Sequence, residues 1–428
     1  MNMPFNARDR IVVTGMGLVS PLGCGVANVW SRLIKGRSGI RRIPQGVAED
    51  VACQVAGFVP SVDEEDGFNP DQFVPPKDQK KMDRFIQFAL AAAQEAISQA
   101  NWKPKTNSER ERTATVIASG IGGFHSITEA VRLTDARGPR RLSPFTVPSF
   151  LSNLAAGWVS ILHGYKGPIG TPVTACAASV QAIGDAARLI RAGEADIAVC
   201  GGSEATVNRV SLGGFGAARA LSTGFNDRPE SASRPFDAAR DGFVMSEGAG
   251  ILVIESLDHA RSRGATPIAE LVGYGTTADA HHVTAGPEDG AGAARAMRAA
   301  LAQARLSPSD IGHLNAHATS TPVGDRGELA AIKSVFGADP SLAISATKSA
   351  TGHTLGAAGG IEAIFTIKAL QDQLAPPTLN FEQPDERCGG LDIVGPTARA
   401  ASFEHAISNG FGFGGVNASV IFRRWNDA

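Results

Sequence analysis

Short apolar runs and longer periodic stretches alternate along this chain, and the alternation passes through two cycles. Arg10-Ile11-Val12-Val13-Thr14-Gly15 reads as an opening strand, followed by a helix over Val26–Lys35. Across Lys81–Ala100 the residues Met82, Phe85, Ile86, Ala89, Leu90, Ala93 and Ile97 fall on one stripe, which predicts an amphipathic helix. Ala114–Ala118 reads as a strand leading into Ser119-Gly120-Ile121-Gly122-Gly123, and Gly170–Thr174 as a short buried strand. A helix follows Cys176 as far as Ile190, and Ile197–Cys200 and Ile251–Ile254 are further buried strands. A second cycle begins near Pro267. It has strands at Ile268–Gly273, His313–His317, Leu342–Thr347, Phe403–Asn409 and Val416–Arg423, and helices at Ala291–Ala304, Glu328–Phe336 and Gly356–Leu370. Apolar strands alternating with helices predict an α/β protein with helix-covered, mostly parallel sheets. The cycles divide the chain into 1–265 and 266–428, although no identity between the halves establishes a duplication.

Composition narrows the function classes. A chain of 428 residues, 43% hydrophobic, supports a large core, and a formal net charge of -2 argues against a general nucleic-acid binder. Forty-nine glycines point to tight turns and close helix–sheet packing. The cysteines Cys24, Cys53, Cys176, Cys200 and Cys388 form no C-x-x-C pair and no zinc spacing, which fits a reducing compartment. Met1–Arg10 lacks the apolar stretch of a secretory signal, and no run approaches the ~20 apolar residues needed to cross a bilayer. A cytoplasmic protein without a membrane segment is expected. Asp63–Asp66 is an acidic run, most simply a solvated loop.

Three strand ends carry candidate chemistry. Cys176, in Val173-Thr174-Ala175-Cys176-Ala177-Ala178-Ser179, stands where a strand turns into a helix. Unpaired N–H groups and the helix dipole there are expected to lower the thiol pKa from about 8.5. The competing reading is a small buried hydrophobe. His317 ends a strand in Asn315-Ala316-His317-Ala318-Thr319-Ser320-Thr321, and Lys348-Ser349-Ala350-Thr351-Gly352-His353 repeats the arrangement. A lone histidine is more often structural, but two at equivalent strand ends plus a cysteine at a third are hard to explain by packing. In α/β sheets, reacting groups gather beyond the carboxyl ends of strands. The glycine-dense Asn409-Gly410-Phe411-Gly412-Phe413-Gly414-Gly415-Val416-Asn417 is either a hairpin with packed aromatics or a turn that brings a backbone N–H to a reacting carbonyl.

Taken in order, these segments resemble the β-ketoacyl-acyl-carrier-protein synthases, most nearly the type II elongating condensing enzymes of the thiolase superfamily. The resemblance runs from Val12-Val13-Thr14-Gly15-Met16-Gly17, through Gly213–Ser222 and Ser233-Arg234-Pro235-Phe236-Asp237, to Phe411–Asn417. It implies a thiolase fold, two similar α/β halves in a layered α-β-α-β-α arrangement, usually as a homodimer. By motif, Cys176 would be the acyl-accepting nucleophile, and His317 and His353 the pair that stabilises the malonyl-derived enolate. Lys348 would orient the site by pairing with Glu328. The N–H groups of Cys176 and Phe413 would form an oxyanion hole, with Phe411 and Phe413 at the acyl channel and Thr319 and Thr321 on the phosphopantetheine arm. Ile121 would border the acyl pocket, a role compatible with being a core isoleucine.

The implied reaction is decarboxylative Claisen condensation of malonyl-acyl carrier protein with an enzyme-bound acyl thioester in fatty acid elongation, without metal or organic cofactor. A polyketide or specialised-lipid ketosynthase would share the mechanism. A thiolase would need a second reactive cysteine, for which Cys388-Gly389-Gly390 matches formally but lies in an expected surface loop. A non-catalytic chain-length partner would lack Cys176. Initiating condensing enzymes carry Asn where this chain has His353. Gly410, Val416 and Ala318 depart from the usual Ser, Thr and Gly beside the site. The implied partner is acidic acyl carrier protein, with Lys80, Lys81, Arg84 and Arg209 as candidate docking residues. Ordinary solvated side chains are the alternative for these four.

Overall fold

In a computed structural model of the chain, residues 10–339 and 341–426 are described. The N-terminal stretch read as lacking a signal therefore lies, up to Asp9, outside the described residues. Ten strands carry the architecture: β1 (Ile11–Ser20), β2 (Thr113–Ala118), β3 (Ile169–Gly170), β4 (Ile197–Glu204), β5 (Gly248–Ser256), β6 (Ala269–Ala278), β7 (Ile311–Asn315), β8 (Ala343–Ser345), β9 (His405–Gly412) and β10 (Val416–Arg424). Their order in the sheet is β8-β7-β9-β10-β6-β1-β5-β4-β2-β3. The first five and the last five thus repeat one order, third-second-fourth-fifth-first. They meet where Ile11–Val13 of β1 pairs antiparallel with Ala269–Leu271 of β6. That repeat, invisible as sequence identity, is explicit in the topology.

Pairing departs from the mostly parallel expectation. β2 pairs parallel with β3 and β4, and β7 with β8 and β9. The central pairs β4–β5, β5–β1, β6–β10 and β10–β9 are antiparallel. For β9 and β10 the reason is the connection: a tight glycine turn joins them, which can only reverse the chain. The strand expected over Gly170–Thr174 also shrinks to Ile169–Gly170, and Val173 is exposed.

Five helices matter for the site: α1 (Arg84–Ala100), α2 (Ala178–Arg191), α3 (Ala291–Ala304), α4 (Pro322–Phe336) and α5 (Ala358–Asp372). α1 begins three residues later than its apolar stripe suggested, because Asp83 caps it and accepts from the Phe85 N–H. α4 begins earlier than expected, with Pro322 in its first turn, where a missing N–H costs nothing. Glu328 therefore lies within that helix.

α1 covers the outer face of β1, β4 and β5, while α3 covers β6 and β10. A Cβ on Gly17 of β1 would overlap the Ala92 carbonyl of α1, and one on Gly275 of β6 would overlap the Ala296 carbonyl of α3. The same close strand–helix approach therefore recurs in both halves. α2 and α5 pack against each other and form the middle layer, and α5 is buried almost all round, as its Ala/Gly/Ile composition requires.

Candidate active site

The two middle helices begin alike. Each is preceded by a single 3₁₀ turn, Ala175–Ala177 before α2 and Leu355–Ala357 before α5, whose first residue has a left-handed φ of 49°. This strained turn swings Cys176 out at the head of α2 and places His353 just before the head of α5. His353 is pinned by its backbone, donating to the Val244 carbonyl at 2.8 Å and accepting from Ser246 N–H at 3.0 Å. His317 follows β7, and its loop is held by Glu328, which accepts from the N–H groups of His317 (2.9 Å) and Ala318 (2.6 Å).

These elements bring three distant residues together. His353 Nε2 lies 2.9 Å from Cys176 Sγ. The His317 and His353 rings sit edge to face with centroids 5.4 Å apart, and one ligand atom from each of the three residues lies within 4.8 Å of the others. Sulfur and nitrogen sharing a tetrahedral zinc would stand about 3.5 Å apart. The 2.9 Å contact is a hydrogen-bond spacing. All three residues line a cavity of about 500 Å³.

Burial dominates the electrostatics. Both imidazolium pKa values are driven well below the ordinary value, first by burial and then by the Lys348 charge, so both rings are neutral. Each buried Nδ1 has no hydrogen-bond partner among the described residues. An orphaned acceptor is the cheaper state there, which favours the Nε2–H tautomer. The Cys176 thiol departs from expectation: burial pushes it up to about 12, and Glu204 adds to the rise. Lys348 and the N–H groups of Phe413 and Cys176 itself oppose this but do not outweigh desolvation. The helix terminus thus moderates the thiol without making it a resting thiolate.

The Lys348–Glu328 pairing is not formed. Lys348 Nζ instead binds both carboxylate oxygens of Glu362 in α5, at 2.6 and 2.7 Å, in a pair that is almost wholly buried. Glu328 is already engaged by two backbone N–H groups and by Asn409 Nδ2 at 3.2 Å. Burial raises both Glu328 and Glu362 to about 7.

The glycine turn after β9 reaches the nucleophile. A Cβ on Gly412 would stand 2.7 Å from the Thr174 carbonyl and 3.2 Å from Cys176 N, so only glycine lets the end of β9 and the turn carrying Cys176 approach this closely. Phe411 packs edge-on to His317 (centroids 5.6 Å), and half-exposed Phe413 leans on Phe215 (6.2 Å). Ile121, Thr319 and Thr321 line the cavity, with the two threonine hydroxyls 3.0 Å apart. Ile121 also packs in the cluster that holds Leu355 and Phe243, so the pocket and core readings coincide.

Cys388 is buried rather than in a surface loop, with Sγ toward the Phe236 carbonyl, and it does not line this cavity. Among the docking candidates, Lys81 pairs with Asp78, Arg84 with the buried Glu247, and Arg209 with Asp50. Lys80 is exposed and makes no ion pair among the described residues. Two buried carboxylates, Glu362 and Glu204, escape notice in the sequence. The available signal was a lone acid in an otherwise apolar stretch, Gly359-Gly360-Ile361-Glu362-Ala363 and Gly201-Gly202-Ser203-Glu204.

Residues 8–260 match the family model described as "Beta-ketoacyl synthase, N-terminal domain", and residues 268–382 match "Beta-ketoacyl synthase, C-terminal domain". The chain is 50% identical over 418 residues to a 3-oxoacyl-[acyl-carrier-protein] synthase 2 of Rhizobium meliloti (strain 1021), covering 97% of this chain and 99% of that one. Among solved structures, a beta-ketoacyl synthase from Burkholderia phymatum STM815 superposes with a TM-score of 0.89 at 35% identity, over 97% of this chain and 100% of that one. A type II PKS ketosynthase, in complex with its acyl-carrier protein and bound to the hexaketide, gives 0.87 at 33% identity, over 97% and 99%.

Proposed function

The chain belongs to the beta-ketoacyl synthase family, and from that premise we propose how its own residues run the condensation. It is an acyltransferase that joins an enzyme-bound acyl group to malonyl-acyl carrier protein and yields 3-oxoacyl-acyl carrier protein in fatty acid elongation. The observation that carries the residue roles is the meeting of Cys176 Sγ with two neutral imidazoles at one cavity.

In the first half-reaction Cys176 attacks the acyl thioester. The thiolate forms as attack proceeds, stabilised by the His353 Nε2–H, the Lys348 field and the two backbone N–H groups. The N–H groups of Cys176 and Phe413 then receive the thioester oxygen, each such donor being worth ~10²–10³ in rate. The cysteine proton ends on the departing pantetheine sulfur, so the step is proton-neutral. In the second half-reaction the malonyl thioester carbonyl accepts from the Nε2–H groups of His317 and His353. Loss of CO₂ leaves an enolate that attacks the acyl-cysteine carbonyl, and the Cys176 sulfur departs and takes a proton from solvent. Burial, with the Lys348 charge as the second cause, keeps both rings unprotonated, and Glu362 holds Lys348 in place. Thr319 and Thr321 hold the phosphopantetheine arm on one side of the cavity, with Ile121, Phe411 and Phe413 along the acyl path.

The repeated strand order supports treating 1–265 and 266–428 as the two halves of the protein. A homodimer is supported by the exposed apolar side chains Val131, Phe145, Val147, Leu151, Ile161 and Leu162, a stretch that a second copy would cover. A cytoplasmic location accords with the free thiols and with the finding that no helix of the described residues is long and apolar enough to cross a membrane. Acyl carrier protein is the docking partner, and of the four candidate cations Lys80 is exposed without an ion pair among the described residues, while Lys81, Arg84 and Arg209 are tied into local pairs. The decisive test is a panel of acyl carrier proteins charged with different chains. Mass spectrometry should follow acyl transfer to the protein and then malonyl-dependent elongation. A protein that takes no acyl group from any of them refutes the proposal.

A further inference from the structure

Glu204 is wholly buried at the end of β4 and has no cationic partner among the described residues. Its carboxylate accepts four hydrogen bonds instead. Oε1 takes the Ser119 hydroxyl (2.9 Å) and the Ile121 N–H (3.3 Å), and Oε2 takes the N–H groups of Gly120 (2.7 Å) and Gly356 (3.0 Å). Three of these donors belong to the loop after β2 that carries Ile121 to the cavity. The fourth belongs to the turn that leads from His353 into α5.

The repeat gives the fourth donor its meaning. Ala175 and Leu355 occupy the same left-handed position in the two 3₁₀ turns, so Gly356 stands in the second half where Cys176 stands in the first. Each turn docks on the fourth strand of the opposite half, Ala175–Ala177 on β9 and Leu355–Ala357 on β4. At the first, Gly412 stands against the Cys176 nitrogen, where a Cβ would come within 3.2 Å of it. At the second, a Glu204 carboxyl oxygen occupies the corresponding N–H as a built-in acceptor. The approach is tight, since a Cβ on Gly356 or Gly120 would come within 2.7 Å of Glu204 Oε2.

We propose that Glu204 is a positioning residue that fills this second, symmetry-related anion hole and thereby ties the Ile121 wall of the cavity to the His353 turn, setting acyl-chain selectivity. The inference rests on the proposed roles of Cys176 and Ile121. Glu204→Gln tests it, because one oxygen can still serve the two N–H groups of Gly120 and Gly356. The new NH₂ then faces the Ser119 hydroxyl, which can accept, and the Ile121 N–H, which cannot. The wall is released while the His353 turn stays tied.

The readouts are malonyl decarboxylation and the kcat/KM of Cys176 acylation by butyryl- and dodecanoyl-acyl carrier protein. The expected result is decarboxylation within about twofold of wild type, with the dodecanoyl-to-butyryl ratio shifted by about fivefold or more, the scale of one lost hydrogen bond. Ser119→Ala, which removes one tether and leaves the carboxylate in place, should shift the ratio in the same direction and provides the test if the first variant does not fold. An unchanged ratio in the folded variants, or an equal loss of both activities, overturns the proposal. Failure of the wild-type protein to acquire any acyl group would instead refute the nucleophile assignment.

Discussion

Replacing each histidine by alanine should separate the two half-reactions, because only one imidazole touches the sulfur. His353 Nε2 is 2.9 Å from Cys176 Sγ, whereas His317 faces the His353 ring and Phe411. Removing one preorganised donor from a developing oxyanion costs ~10²–10³ in rate, or about 2.7–4 kcal/mol. His317→Ala should therefore slow malonyl decarboxylation by that factor. Its effect on Cys176 acylation should be much smaller, because His353 and not His317 contacts the sulfur. The loop itself should hold, since Glu328 grips the His317 and Ala318 N–H groups and not the ring. His353→Ala removes a donor from both steps and should slow both. Acylation is read by intact-protein mass without malonyl substrate, and decarboxylation by CO₂ release from malonyl-acyl carrier protein. If His317→Ala slows acylation as much as decarboxylation, or His353→Ala spares acylation, the division of labour is wrong.

The remaining expectations concern stability, pH and assembly. Lys348→Met strands Glu362 and should cost about 3–5 kcal/mol. Because burial raises that carboxyl to about 7, above its unfolded value, the deficit should grow as pH rises through that value. Denaturation at several pH values, with Lys348→Met/Glu362→Gln as the rescue, checks this. Both site histidines have folded pKa values well below the ordinary one. They bind fewer protons folded than unfolded, so stability should fall as pH drops below about 6.5, while decarboxylation shows no titration of the two rings near that value. A rate that titrates with a midpoint near 6.5 would contradict neutral donors. Ile161→Asp, at a side chain that is 68% exposed, should convert a dimer to monomers in light scattering. Lys80→Glu should raise KM for carrier-bound substrate and leave short thioester mimics nearly unchanged; equal effects on both would remove Lys80 from the docking surface.

Much of this arrangement is legible in the sequence. Strand ends and helix heads signal themselves through glycine, hydroxyl and apolar patterning, so Cys176, His317, Lys348 and His353 stand out locally. What stays hidden depends on long-range partners. Nothing near Lys348 says that its counter-ion is Glu362 one helix away and not Glu328, because the choice is made by which helix lies behind the lysine. Helix-terminus reasoning points to a lowered Cys176 pKa, but desolvation by the residues packed around the thiol is a property of tertiary packing and reverses the sign. The antiparallel centre of the sheet was hidden because buried strands show the same apolar run in either direction. The two cycles are legible as alternating strands and helices, but the repeat is carried by strand order and turn geometry and not by residue identity, so comparing the halves residue by residue does not establish it.

Intact-protein mass spectrometry on wild type and Cys176→Ala, each incubated with acyl-loaded and then malonyl-loaded acyl carrier protein, tests the nucleophile directly. One acyl adduct is expected on the wild-type chain, discharged by malonyl substrate into 3-oxoacyl-acyl carrier protein, with neither adduct nor product from the variant. Condensation that persists without the Cys176 sulfur would show that the three residues gathered at this cavity do not run the reaction as derived.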